Sequence, residues 1–497
     1  MDTLINPGKR VKVRDLAWLL LPFSLFALVI LFFPFRFVFE LDADEGVNLI
    51  KSVLITQGDD LYSDIWSDQP PIFTLLIAVL LRILGVNLTA TRIVILLMSC
   101  TLLWAAVQYL RVFWGPVHAL AGGLTIVLLP FFLRLSVSIM VGLPAIAFAM
   151  LSFLAISYWH KERKNFWLVL SSLALALSVM TKLFTGLLVP IYLVGLILQE
   201  WQAFRRTRSW RVLLTPGAIW LSGFGFTSLL VWLLFIYPDG TTQLLDTHLI
   251  AAISSPNDTI KIAGYLRESF PVVVLGVIGS FLVIQNRRWT GVYLMAWASV
   301  SYLLLSQHSP IWYHHQLLVT VPIAVLCGIA VGEMVVALSD LTRRSQFGRV
   351  RGASVGIVAI LTLYLLFARA PRVFSQLDFR LPNFKPPEAE AVDIQAVKLL
   401  EVMWQYAEVT NILITDRPML AVRLGKPVPP YLAAVTGKRI STGELSEQDI
   451  ISAIRRYRPE QVALARFELP AVDAYLQQNY RLAYKLTDHR LYIRGDL

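Results

Sequence analysis

Cysteine is almost missing from this 497-residue chain: Cys100 and Cys327 are the whole complement, and both sit inside apolar runs. A disulfide framework and a cysteine-rich metal centre are therefore excluded. Charge is scarce as well, at 15% of residues against 56% hydrophobic, a balance that no soluble globular domain shows. Strict apolar/polar alternation is absent too, which argues against an outer-membrane barrel. What is there instead is a series of long apolar runs between residues 17 and 367. A run of about 20 residues crosses the hydrocarbon layer as a helix, so the bulk of the chain reads as an all-α polytopic membrane protein.

The formal net charge of +11 does not point to nucleic acid, because the Lys and Arg fall in short clusters beside the apolar runs. They read as topology. With the N-terminus in the cytoplasm, spans are expected near 16–38, 88–110, 117–133, 142–159, 164–181, 184–200, 213–237, 269–286, 290–306, 315–338 and 354–369, about eleven in all. Each inner turn then collects a basic cluster: Lys161, Arg163 and Lys164; Arg205, Arg206, Arg208 and Arg211; Arg287 and Arg288; Arg343, Arg344, Arg349 and Arg351. The first run follows Lys9, Arg10, Lys12 and Arg14 but is too long for a signal peptide and lacks a small-residue cleavage site, so it reads as an uncleaved helix. The 13-residue run Ile72–Leu84 is too short to span and starts after Pro70-Pro71. Counting it as a crossing would put the later basic clusters outside, so a helix lying at the outer interface is predicted there.

An odd number of spans places the segment after Ala370 on the same outer side as the long first loop, 40–87. The transmembrane core is thus assigned to 1–370, a Pro-rich linker to 371–387 and a small extracytoplasmic α/β domain to 388–497. In that domain helices are predicted over 388–406, 446–457 and 470–478, and strands over 411–415, 461–465, 480–486 and 490–493. No Gly-rich phosphate loop is found in it, and Asp416, at a strand end, reads as a turn or cap residue.

The first outer loop carries Glu40, Asp42, Asp44, Glu45, Asp59, Asp60, Asp64 and Asp68 against one base, Lys51. Such a cluster beside a membrane repels itself unless something cationic balances it. Three readings stand: a solvated acidic loop, a general base, or a divalent-metal site.

The run Leu41-Asp42-Ala43-Asp44-Glu45-Gly46, then Gly58, Tyr62 and Trp66-Ser67-Asp68-Gln69-Pro70-Pro71, followed by Leu84-Gly85 and Ala90-Thr91-Arg92, resembles the first loop of the GT-C superfamily. Protein O-mannosyltransferases and bacterial aminoarabinose transferases are the nearest in pattern. The resemblance is strong to about Arg92 and weaker to about residue 340. It implies an inverting glycosyltransferase that takes a sugar from a polyprenyl-phosphate donor and passes it to a lipid, glycan or protein acceptor on the outer face. Asp44 matches the first acid of the family's Asp-Glu pair, implying the general base, and Glu45 matches the second, implying a group that positions the acceptor or the base. Asp68 matches the acid before Pro-Pro, and His248 resembles a later outer-loop His; together they imply a place for a divalent metal ion.

A polyprenyl-phosphate leaving group needs fixed cations or a metal. Arg92, Arg134, Lys182 and Tyr313-His314-His315 are the outer-side candidates for donor-phosphate contact, with Lys182 in a Met180-Thr181-Lys182-Leu183 context that resembles a Thr-Lys-Gly element of the aminoarabinose transferases. Val47-Asn48 and Gln69 stand where those transferases carry basic residues, so either other residues, such as the His pair, hold the phosphate or the donor differs. The absence of inserted lumenal domains favours a bacterial inner membrane. The alternative is a polytopic transporter or flippase of a lipid-linked substrate, but no matching pair of Gly/Pro-broken spans in the two halves supports it.

Overall fold

The computed structural model describes residues 35–36, 38–244, 259–308, 311–341, 356, 359–360, 362, 364 and 389–497. Two helices belong to the segment 40–87, α1 (Ala43–Gln57) and α2 (Ile72–Leu84). The apolar core follows as α3 (Leu88–Phe113), α4 (Pro116–Val127), the short α5 (Phe132–Leu135), α6 (Gly142–Glu162), α7 (Asn165–Val179), α8 (Leu188–Thr207), α9 (Trp210–Phe235), α10 (Thr259–Glu268), α11 (Phe270–Gln285), α12 (Trp289–Gln307) and α13 (Leu317–Leu341). A 3-10 turn, Leu183–Leu187, leads into α8 and another, Tyr313–Gln316, into α13.

Among the described residues five helices are long and apolar enough to cross a membrane, and a sixth crossing arises if α10 and α11, bent by 88° at their junction, form one span. The expected spans 117–133 and 164–181 are shorter helices, of 12 and 15 residues. Pro130 accounts for the first, since proline disfavours helix in the residue before it and removes a donor, and Phe131 then turns the chain at φ 60°. The expected crossing 16–38, save three of its last residues, and most of 354–369 lie outside the described residues, as does the linker. Helix α2 has the bounds expected of the interfacial helix.

Small residues let the core helices approach closely, the usual device where lipid removes the hydrophobic drive for helix association. A Cβ on Gly328 of α13 would sit 2.4 Å from the Cα of Gly122 of α4. Serines join α6 to α7: Ser178 Oγ donates to the Ala145 carbonyl (2.7 Å) and Ser152 Oγ to that of Ser171 (2.7 Å).

The C-terminal domain has α14 (Ala389–Trp404), β1 (Leu413–Thr415), α15 (Met419–Leu424), α16 (Gly437–Ser441), α17 (Glu447–Tyr457), β2 (Gln461–Leu464), α18 (Pro470–Asn479), β3 (Tyr480–Leu486) and β4 (His489–Arg494). Its sheet runs β1-β2-β4-β3, with β1 and β2 parallel and the other pairs antiparallel. Helices α15 and α16 were not foreseen. Helix α1 lies between this domain and the membrane core. Ile50 and Leu54 join Leu399, Met419 and Leu420 in one apolar cluster, while Leu49 packs with Phe73, Ile95 and Ile139.

Candidate active site

The acidic motif of the first loop is the start of a helix. Asp42 caps α1 by accepting the N–H of Asp44 (3.0 Å), and Asp44 and Glu45 fill the first turn, where unpaired amides and the helix dipole favour carboxylates. The second Asp42 oxygen accepts the Tyr313 hydroxyl. Arg134 donates from Nε to the Leu41 carbonyl (2.7 Å) and lies over the Tyr313 ring, 5.4 Å from its centroid. Arg134 and Tyr313 therefore brace the turn that presents Asp44.

Glu45 and Arg92 are brought together, but neither presents surface to solvent: both side chains are 0% exposed. Arg92 donates to Glu45 through Nε (3.2 Å) and Nη2 (2.7 Å), and through Nη1 to the Phe35 and Val38 carbonyls. Glu45 also accepts the amides of Leu41 (2.7 Å) and Ile139 (2.8 Å). Glu45, expected to position the acceptor or the base, and Arg92, expected at the donor phosphate, form a fully engaged strut between α1, α3 and the residues before α6.

Asp44 and Asp68 remain reachable, at 44% and 20% exposed. Both lie within electrostatic range of Lys182, which follows α7, and of Lys51, two turns beyond Asp44 on α1. Two further cations come from the C-terminal domain: Arg466 Nη2 is 3.7 Å from Asp44 Oδ1, and Lys438 Nζ is 3.3 Å from Asp68 Oδ2. Enclosure by protein pushes the Asp44 carboxyl up, reinforced by Asp42 and opposed by Arg466; Asp68 adds to the rise and Lys182 resists it. Burial pulls Lys182 down to about 8 against the attraction of Asp44 and Asp68. Lys51, buried with its Nζ 3.2 Å from Ser67 Oγ, is likewise lowered by burial. The arrangement offers one accessible carboxylate of raised proton affinity next to lysines, which suits proton abstraction beside a developing anion.

Lys182 Nζ lies 5.6 Å over the Phe184 ring, which also contacts His308 and His315. His315 Nδ1 accepts the Trp312 amide (3.3 Å), leaving Nε2 to carry the proton, and the His314 ring packs across it. Tyr313, His314, His315 and Lys182 thus share one side of the site. Among the described residues no three of His, Cys, Asp and Glu gather to hold a metal ion. Asp68 instead meets Lys438, and His248 lies outside the described residues. Among the described residues the donors around Asp68 do not fit a metal. An apolar cavity of about 300 Å³, lined by Pro190, Gly195, Trp289 and Tyr293 among others, contains none of these groups.

Residues 68–232 match the model of the dolichyl-phosphate-mannose-protein mannosyltransferase family. Comparison with curated protein sequences returns no match. Among solved structures, ArnT from Cupriavidus metallidurans bound to undecaprenyl phosphate aligns over 96% of this chain and 98% of its own, at 14% identity and a TM-score of 0.62. The archaeal oligosaccharyltransferase AglB from Archaeoglobus fulgidus, in complex with an inhibitory peptide and a dolichol-phosphate, aligns over 97% of this chain and 74% of its own, at 12% identity and a TM-score of 0.54. The chain has the GT-C fold. It is an integral membrane protein of that architecture, with the small sheet domain at its C-terminus.

Three charged residues near Asp44 and Asp68 are not among the candidates read from the sequence. Lys51 had a signal, because Asp44, Asn48 and Lys51 share one helix face by their spacing of four and three. Arg466 and Lys438 had none; the domain that carries them reaches the first loop only through tertiary contacts.

Proposed function

We propose that this protein is an inverting glycosyltransferase of the bacterial inner membrane, taking a sugar from a polyprenyl-phosphate donor on the outer face. The observation that carries the reading is the juxtaposition of an accessible carboxylate, Asp44, with Lys182 and the Tyr313–Gln316 turn at one end of the apolar helices. The relatives in fold that were solved with undecaprenyl phosphate and with dolichol-phosphate support the donor class.

In this reading Asp44 takes the proton of the acceptor hydroxyl or amine. The freed lone pair attacks the anomeric carbon from the face opposite the phosphate. The bond from that carbon to the phosphate oxygen breaks, its electron pair leaves with the polyprenyl phosphate, and the configuration inverts. Lys182 faces the charge that develops on the leaving phosphate, aided by the Tyr313-His314-His315 turn, while Arg134 and Tyr313 hold Asp42 and thereby the first turn of α1. Glu45 and Arg92 fix that turn to the membrane core. The C-terminal domain, on the outer side with the first loop, walls the site; the N-terminus is cytoplasmic.

The test is transfer by purified protein in lipid from a panel of polyprenyl-phosphate sugars to membrane extract, with the anomeric configuration of the product read by NMR. Transfer with inversion supports the reading. Retention would sink the single-displacement step, and movement of a labelled carrier across the bilayer without chemical change would replace an enzyme by a flippase.

A further inference from the structure

The C-terminal domain places a single arginine against the candidate base, and the way it does so is specific. Strands β1 and β2 are parallel, with Thr415 opposite Ala463, so the residues that follow each strand lie side by side. Asp416, just past β1 and 1% exposed, accepts three consecutive amides just past β2: Ala465 (2.7 Å), Arg466 (2.9 Å) and Phe467 (2.8 Å). Arg490 Nη2 donates to the Phe467 carbonyl (3.3 Å) from the neighbouring strand. Next along the chain, Arg417 Nε meets Glu40 Oε2 at 2.8 Å, both nearly buried, so the same end of the sheet is fastened to the first loop. A turn held at three amides and fastened beside α1 has little freedom to swing its side chain away.

The resulting separation, 3.7 Å between Arg466 and Asp44, is longer than a hydrogen bond, which lies near 2.7–3.2 Å for N–H to O. The guanidinium therefore acts on Asp44 as a nearby charge and leaves its oxygens open to an incoming proton. Among the described residues, the other charged groups facing Asp44 have different origins: Asp42 at the cap of α1, Lys51 on α1, Asp68 from the loop before α2, and Lys182 after α7, with the Tyr313 hydroxyl close by. Arg466 alone among them comes from the soluble domain.

We propose that Arg466 is a positioning residue for the transfer reaction, set by Asp416 to stand as an unbonded counter-charge to Asp44, so that the C-terminal domain completes the base. The inference rests on Asp44 being that base. With Arg466 in place the carboxylate stays ionised and unencumbered while the acceptor binds. Without it, Asp42 and Asp68 crowd Asp44 with one less cation to offset them, and proton loss requires higher pH.

The experiment is the pH dependence of kcat/KM for the full-length wild type, Arg466→Met, Arg466→Lys and Asp416→Asn. Arg466→Met is expected to move the acidic limb upward by about one pH unit, a roughly tenfold loss below the limb with little change above it. Arg466→Lys should stay near wild type, and Asp416→Asn should move the limb in the same direction by less. If the Met variant does not accumulate, Arg466→Gln carries the same expectation. An unmoved limb with a uniform loss at every pH would make Arg466 merely structural and overturn the proposal. Turnover that survives in Asp44→Asn would instead remove the base itself, so the two failures are distinguishable.

Discussion

Glu45 and Arg92 form a buried ion pair, 2.7 Å between Oε2 and Nη2, that ties the start of α1 to α3. Removing one member of such a pair leaves an uncompensated charge, at about 3–5 kcal/mol. Arg92→Met and Glu45→Gln are each expected to lower the melting temperature of the detergent-purified protein strongly. A double replacement by Leu and Met should recover much of that loss. Wild-type melting in either single variant would contradict the role as a strut.

Gly46 is the residue after the acid pair, and its place is steric. A Cβ there would lie 2.4 Å from the Met419 amide nitrogen of α15, against backbone that has no room to give. Gly46→Val should displace the C-terminal domain from α1. The expected outcome is faster proteolysis between residues 389 and 497 and loss of transfer, with the helical core still monodisperse.

Glu40 at the domain seam has its carboxyl pushed up to about 7 by burial, against the pull of Arg417. Its folded-state value stands above its ordinary 4.5, so the folded protein holds more protons between those two pH values. Its contribution to stability is therefore full below about 4.5 and is lost as pH rises through about 7, an effect on the order of 3 kcal/mol. Glu40→Gln should flatten that part of the stability profile. An unchanged slope in the variant would exclude Glu40 as its source.

Lys182, pulled down to about 8 by burial, loses its charge as pH rises past that value. The donor KM is expected to climb above pH 8, and Lys182→Met should raise it below that pH while removing the climb. The same KM in wild type and variant would take Lys182 off the donor phosphate.

Much of the fold was legible because it depends on local pattern. The run Ile72–Leu84 is too short to cross, and it is a 13-residue helix with those bounds. The helix expected over 446–457 is α17, whose start is closed by a capping box of Ser446 and Asp449. Helix α1 is not among the expected elements, because its Asp42 cap, two first-turn acids and the Gly58 at its end, with φ 109°, read equally as an acidic loop. The site was legible only in part. Asp44, Lys182 and the Tyr313-His314-His315 turn come together, whereas Glu45 and Arg92 neutralise each other, a pairing that the sequence motif does not encode. The seam between Glu40 and Arg417 joins residues 377 positions apart, a contact that no local pattern signals.

The most direct test of the central claim is a single-turnover transfer experiment comparing wild type with Asp44→Asn, with donor binding measured separately on the same samples. Transfer should fall by several orders of magnitude in the variant while donor affinity stays within a few-fold of wild type, because Asn keeps the shape and loses only the proton acceptor. Transfer at the wild-type rate by Asp44→Asn would contradict the assignment of the base and, with it, the mechanism built on this site.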